Sequence, residues 1–278
     1  MRLLVALLAA VCPFSAAAIE ESKMVAVALD GRTVAFDMRI FKPEGDGPFP
    51  TLVFNHGSTG NGRDPALFTR AQVFRPLADL MVAQGWVVVT PHRRGRGNSE
   101  GLYDEGFGPD RSKGYSCEPA QSLPGADRAL RDIAAAMAEI ERMPFVDKSR
   151  IAIGGQSRGG ILAVAYSGLY PQQVKAVINF VGGWMGASCG DRGATINKTL
   201  FKRGAGFAGE TLWLYGDNDP YYPLSHSRRN FETFQSAGGK GEFLAFQPVS
   251  VKDGHAIVFA PALWEAALKD YLKRMGLL

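Results

Sequence analysis

The stretch "RIAIGGQSRGG", Arg150 to Gly160, decides the reading of the whole chain. An apolar run enters a cluster of glycines, and one serine stands among them. An apolar helix-forming run, "ILAVAYSGLY", follows at once. Gly155, Ser157 and Gly159 fit G-x-S-x-G in a strand–turn–helix context. Such a turn is sharp enough to hold its serine in a strained backbone conformation, with the hydroxyl projecting from the sheet edge. Side chains at 155 and 159 would collide there, so glycine is required at both. Gly154 and Gly160 are expected to allow close packing of helix on sheet. The backbone N–H of Arg158 then opens a helix, where it can donate to a developing oxyanion with help from the helix dipole. A phosphate-binding turn would instead carry G-x-G-x-x-G after the first strand or Gly-Lys-Ser/Thr, and neither is present.

A nucleophilic serine needs a base, and the base needs a carboxylate to orient it. The chain has 4 histidines: His56, His92, His226 and His255. His255 lies in "KDGHAIV", a polar turn between the last strand and the last helix, free to reach across the sheet edge. It is the expected base, and His56 in "NHGS" is expected to be a structural hydrogen-bonder. For the acid, the strand "TLWLYG" ends in "DNDPYYP", which offers Asp217 and Asp219. Asp219 is preferred because its spacing from Gly216 carries the chain over the strand end first; Asp217 is expected to fix the turn. The order Ser157, Asp219, His255 is nucleophile, acid, base. A second oxyanion donor is expected after the strand at 50–55, from the backbone N–H of Ser58.

Working outward, strand and helix patterns alternate along the chain. A hairpin is expected from 24–29 and 33–41 around Asp30-Gly31. Strands are expected at 50–55, 86–91, 150–155, 174–183, 211–216 and 241–248. Helices are expected in the run ending at Gly85 and at 126–143, 158–169, 224–239 and 262–275. This order implies an α/β fold: a mostly parallel twisted sheet with helices on both faces and an N-terminal antiparallel hairpin. Two connections are long, about 95–123 and 184–210. The second is too small to be a large cap domain, so the cleft is expected to be open, with Phe107, Trp184, Tyr221 and Tyr222 as candidate substrate-lining residues.

The net charge is +4, with 31 basic and 27 acidic residues interspersed over 278 positions, which is not the footprint of a nucleic-acid binder. The basic run "HRRGRG" at 92–97 reads as a turn with solvated arginines. No cofactor or metal is implied. "MRLLVALLAAVCPFSAAA" carries an early arginine, a short apolar stretch and an A-x-A end, the pattern of a secretory leader cleaved after Ala18. The expected organisation is a leader at 1–18 and a single catalytic domain at 19–278, secreted or periplasmic, with no stable membrane insertion after cleavage. Export places Cys117 and Cys189, both in the long loops among small and polar residues, where thiol pairs oxidise. A disulfide between them is therefore expected.

The segments "LVFNHGS", "PHRRGRGNSEG", "FVDKSRIAIGGQSRGG", "LYGDNDPYYP" and "DGHAIV" together resemble the α/β-hydrolase superfamily. They are most similar to its dienelactone-hydrolase-like and prolyl-oligopeptidase-like serine hydrolases. The resemblance runs over about 50–258, in the family's order, and implies the α/β-hydrolase fold. It departs from true dienelactone hydrolases, which carry cysteine where this chain has Ser157, and from prolyl oligopeptidases, which add a β-propeller. The activity it implies is hydrolysis of a small-molecule carboxylic ester through an acyl-enzyme on Ser157. The alternatives are amide or peptide cleavage by the same residues, for which Arg158 or Arg94 would bind a peptide terminus, and a non-catalytic binding protein of this fold.

Overall fold

Short, almost wholly apolar runs such as "LVF" at 52–54, "VVV" at 87–89 and "IAI" at 151–153 suit strands buried on both faces, and all nine residues are buried. The computed structural model describes residues 18–278. The expected leader, apart from its last residue, and Cys12 lie outside the described residues. The strands are β1 (Ile19–Leu29), β2 (Arg32–Lys42), β3 (Phe49–Asn55), β4 (Val87–Pro91), β5 (Val146–Gln156), β6 (Ala176–Phe180), β7 (Glu210–Gly216) and β8 (Lys240–Phe246). They form one sheet in the order β1-β2-β4-β3-β5-β6-β7-β8. β2 pairs antiparallel with both β1 and β4, and every other pairing is parallel. Asp30 and Gly31 join β1 to β2 with φ of 51° and 76°, the left-handed pair that a two-residue hairpin needs.

The helices are α1 (Arg75–Val82), α2 (Pro119–Ile140), α3 (Arg158–Leu169), α4 (Gly190–Arg203), α5 (Leu224–Ser236) and α6 (Pro261–Arg274). α2 to α5 pack against one another, and α1 packs on α6. α3 is buried all round from Arg158 to Ser167, as its uniformly apolar sequence requires. Each large side chain buried this way contributes about 1.5–3 kcal/mol. Among the described residues no helix is long and apolar enough to cross a membrane.

The chain runs from β3 outward to β4, then crosses back to β5 on the other side of β3. This reversal opens a crevice beyond the carboxyl ends of β3 and β5, where ligands of open α/β sheets bind. The register pairs Asn55 with Gly155, so the turns at 56–58 and 157–159 leave the sheet side by side.

Two expectations need correction. The segment 184–210 is not a loop throughout, since it contains α4. Its sequence, "GDRGATINKTLFKR", holds two Gly, two Thr, an Asn and an Asp, which are poor helix formers. Tertiary packing overrides that preference, because Ile196, Asn197, Leu200 and Phe201 form a buried stripe. The helix expected at 126–143 begins at Pro119 and ends at Ile140. Pro124 within it argues for a later start. The helix runs through Pro124, and next to it Gly125 packs on the backbone of Gly106, where a Cβ would lie 2.2 Å from Gly106 N.

Candidate active site

Ser157 stands between β5 and α3 with φ 57° and ψ −122°, a left-handed conformation costly for any side chain. Gly155, Gly159 and Gly160 carry out the roles expected of them, whereas a Cβ on Gly154 would meet Ile178 and Phe54 of the flanking strands rather than a helix. A Cβ on Gly155 would lie 2.3 Å from the Gly159 carbonyl carbon, and one on Gly159 would lie 2.0 Å from Asn55 O. A Cβ on Gly160 would strike Asn179 at 2.4 Å, so α3 can lie against the sheet only with glycine there.

His255 sits in a short 3-10 segment, Gly254–Phe259, after β8. Asp253 caps this segment by accepting from the His255 N–H at 3.0 Å. Gln156 Nε2 donates to the His255 carbonyl at 3.2 Å, tying the histidine to the residue before Ser157. The loop passes over the end of β7, where a Cβ on Gly254 would be 2.1 Å from Asp217 O. His255 Nδ1 lies 2.8 Å from Asp219 Oδ2. The other oxygen, Oδ1, accepts from the backbone N–H groups of Tyr221 and Tyr222 at 2.8 and 3.0 Å. The Asp219 side chain is fully buried. Asp217 instead accepts from Asn218 N and Gln247 Nε2 and makes no contact with His255.

Ser157 and His255 line one cavity of about 370 Å³. No hydrogen bond joins the serine hydroxyl to the imidazole, a looseness common in unliganded sites. Ser58 and Arg158 line the same cavity, and among the described residues neither backbone N–H has a hydrogen-bond partner. A Cβ on Gly57 would lie 3.2 Å from Ser157 Cβ, so the turn after β3 is packed directly on the serine.

Trp184, Tyr221 and Tyr222 also line the cavity. Tyr221 sits edge-on to the His255 ring at 4.8 Å. The Tyr222 phenol donates to Gly183 O at 2.8 Å. Burial pushes its pKa up, so it stays protonated beside the Ser157 hydroxyl. Phe107 is a correction. It does not line the cavity but packs among Phe68, Tyr103 and Tyr115, under the Arg111 guanidinium at 3.9 Å. Tyr103 and Tyr115 of the same loop close on it, so the ring anchors the loop on itself. Cys117 and Cys189 are bonded, with Cα atoms 5.5 Å apart, and both line the cavity rim.

The basic run at 92–97 is the larger correction, because its arginines are buried rather than solvated. Arg93 pairs with Glu105 at 2.5 Å and donates to His56 O. Arg94 pairs with Asp132 and Asp30 at 2.7 Å each. The neighbouring guanidinium of Arg93 holds the buried Glu105 below the usual carboxylate range against the opposing effect of burial. Arg158 is also held in place. Its guanidinium lies between the rings of Tyr115 and Trp184 at 3.7 and 4.3 Å and donates to Glu105 O and Trp184 O. Neither Arg158 nor Arg94 is free to take a peptide terminus.

Sequence reasoning missed Glu105 and Asn197. Asn197, on α4, accepts from Trp184 N and Met185 N at 2.8 and 3.1 Å and so holds one wall of the cavity. The apolar spacing around it was the available signal. Among the described residues no group of His, Cys, Asp and Glu could hold a metal ion.

The arrangement can carry out acyl transfer: a serine at a strained turn, a histidine oriented by a buried carboxylate, and two free N–H groups beside the serine. A family model described as the alpha/beta hydrolase fold matches residues 50–187. No curated protein matches the sequence. Among solved structures, a candidate dienelactone hydrolase from Klebsiella pneumoniae is 17% identical, with TM-score 0.58, over 91% of this chain and 98% of that one. An esterase from Pyrococcus furiosus is 15% identical, with TM-score 0.61, over 92% and 90%. A candidate dipeptidyl aminopeptidase IV from Bacteroides ovatus is 16% identical, with TM-score 0.63, over 92% of this chain; the chain spans only 36% of that protein's length. Sheet order, strand-end crevice and family match agree: the chain has the α/β-hydrolase fold.

Proposed function

We propose that the protein is an exported serine hydrolase acting on carboxylic esters of small molecules. Ser157 Oγ attacks the ester carbonyl, and His255 takes its proton and later passes it to the leaving alcohol. Asp219 keeps Nδ1–H of His255 pointed at itself and stabilises the imidazolium that forms. The N–H groups of Ser58 and Arg158 hold the oxyanion of the tetrahedral intermediate. Water, activated by the same histidine, then releases the acyl group. The observation that carries this reading is the 2.8 Å contact from His255 to a fully buried Asp219, in the cavity that also holds Ser157.

Esters are the preferred substrates because an alcohol leaves with less proton assistance than an amine, and Arg158, which lines the cavity, is already held by the Trp184 and Glu105 carbonyls. The aromatic walls, Trp184, Tyr221 and Tyr222, suit an apolar acyl or alcohol part. The Cys117–Cys189 bond supports residence in an oxidising compartment. A panel of p-nitrophenyl esters of rising chain length, assayed beside peptide nitroanilides, tests the reading. Turnover of the esters that Ser157→Ala abolishes is expected. Preferential turnover of the nitroanilides would make the protein a peptidase, and unchanged ester turnover in Ser157→Ala would remove Ser157 from the mechanism.

A further inference from the structure

Arg96 is 2% exposed and has no carboxylate partner among the described residues, unlike its neighbours Arg93 and Arg94. A buried charge without a counter-ion is costly unless polar groups hold it. Arg96 donates to Gly57 O at 3.2 Å and to Arg70 O at 3.5 Å, and it lies over the Tyr103 ring at 5.3 Å. Gly57 is the residue before Ser58, and its carbonyl shares one peptide unit with the Ser58 N–H.

That carbonyl is held a second time. His56 Nε2 accepts from the Arg93 backbone N–H at 3.1 Å, which leaves the ring proton on Nδ1. Nδ1–H then donates to Gly57 O at 2.8 Å. Burial, with the charges of Arg93 and Arg96 behind it, keeps the ring neutral. A trans peptide is planar, so its C=O and N–H point in opposite directions. Two donors that fix the Gly57 carbonyl on the protein side therefore fix the Ser58 N–H on the cleft side.

We propose that Arg96, together with His56, is a positioning residue for the oxyanion site: it holds the Gly57 carbonyl away from the cleft so that the Ser58 N–H faces the Ser157 side. This rests on the acyl-transfer reading above. Its positive charge also lies on the protein side of the peptide that receives the developing oxyanion. A preset dipole of this kind contributes to the transition state and little to ground-state binding. In its absence the peptide is free to rotate, and the N–H is no longer aimed when charge develops.

The test uses Arg96→Met, which removes donor and charge, and Arg96→Lys, which keeps a charge and one donor. Both are normalised by titrating reactive sites with a fluorophosphonate. A trifluoromethyl ketone, which forms a tetrahedral oxyanion adduct, is compared with the methyl ketone of the same shape, which does not. Arg96→Met is expected to lower kcat by roughly 10- to 100-fold, below the 10²–10³ that follows outright loss of an oxyanion donor. KM should stay within about threefold, by the same differential-binding argument. Trifluoromethyl ketone affinity should fall in step with kcat, methyl ketone affinity should not change, and Arg96→Lys should recover part of both losses. A folded Arg96→Met with wild-type kcat per titrated site overturns the proposal, as does an equal loss of affinity for both ketones. If Arg96→Met does not fold, Arg96→Lys decides: a parallel change in kcat and trifluoromethyl ketone affinity upholds the proposal, and no change in either overturns it. Failure of the acyl-transfer reading looks different, since wild-type protein would then form no adduct with the trifluoromethyl ketone.

Discussion

Replacing Asp219 by asparagine should disable the site without disturbing its shape. Oδ1 of Asp219 accepts two backbone N–H groups, from Tyr221 and Tyr222. An asparagine at 219 must leave its carbonyl oxygen there, because its NH₂ cannot accept. The NH₂ is thereby forced into the place of Oδ2, 2.8 Å from His255 Nδ1. Facing a donor, the imidazole moves its proton to Nε2, and the nitrogen that should receive the serine proton is blocked. A wrong tautomer of this kind costs about 10⁴ in kcat, or about 5.5 kcal/mol of transition-state stabilisation. Asp217→Asn should cost less than about tenfold, since the Asp217 carboxylate bonds to Asn218 N and Gln247 Nε2 and not to His255. The assay is steady-state ester hydrolysis by both variants, with circular dichroism to confirm the fold. Asp219→Asn within tenfold of wild type, or a larger loss in Asp217→Asn, would refute the reasoning.

Three further outcomes are expected. Alkylation under denaturing, non-reducing conditions should add no group to Cys117 or Cys189, and reduction should lower stability by roughly 4 kcal/mol, the loop-closure entropy for a separation of 72 residues; alkylation of both cysteines before reduction would disprove the bridge. Burial pulls the pKa of His92 down to about 4 and that of His56 well below its ordinary 6.5, and each Nε2 already accepts a backbone N–H. The unfolded chain therefore takes up protons first, and the unfolding free energy from urea titration should fall as pH drops below about 6.5, approaching about 1.4 kcal/mol per pH unit for each histidine; a stability unchanged between pH 7 and 5 would contradict this. Gly159→Ala should prevent formation of the serine turn, because the added methyl would lie 2.0 Å from Asn55 O; a soluble, fully active variant would show that the turn can open.

The fold and the line of Ser157, Asp219 and His255 were legible because each depends on local sequence. Glycines flank the serine at fixed offsets, apolar runs alternate with helical periods, and an acid follows a strand end. Bonds between distant residues were not legible. "HRRGRG" gives no sign that Glu105 and Asp132 wait to receive its arginines, so buried charges read as solvated ones. Phe107 looked like a cleft residue because its loop lies near the strand ends, but the loop folds its own Tyr103 and Tyr115 onto it, with Phe68 from before α1. α4 was hidden by weak local propensity and revealed only by what it packs on. Pro124 concealed the first turns of α2 for the opposite reason: a strong local signal that packing outweighs.

The most direct test of the account is to locate a covalent adduct. The protein should be treated with a fluorophosphonate, its intact mass measured, and the modified residue mapped by peptide sequencing. The account predicts one adduct per chain, carried on Ser157, with none formed by Ser157→Ala and slow formation in Asp219→Asn. An adduct on another residue, or none in a folded protein that hydrolyses esters, would contradict it.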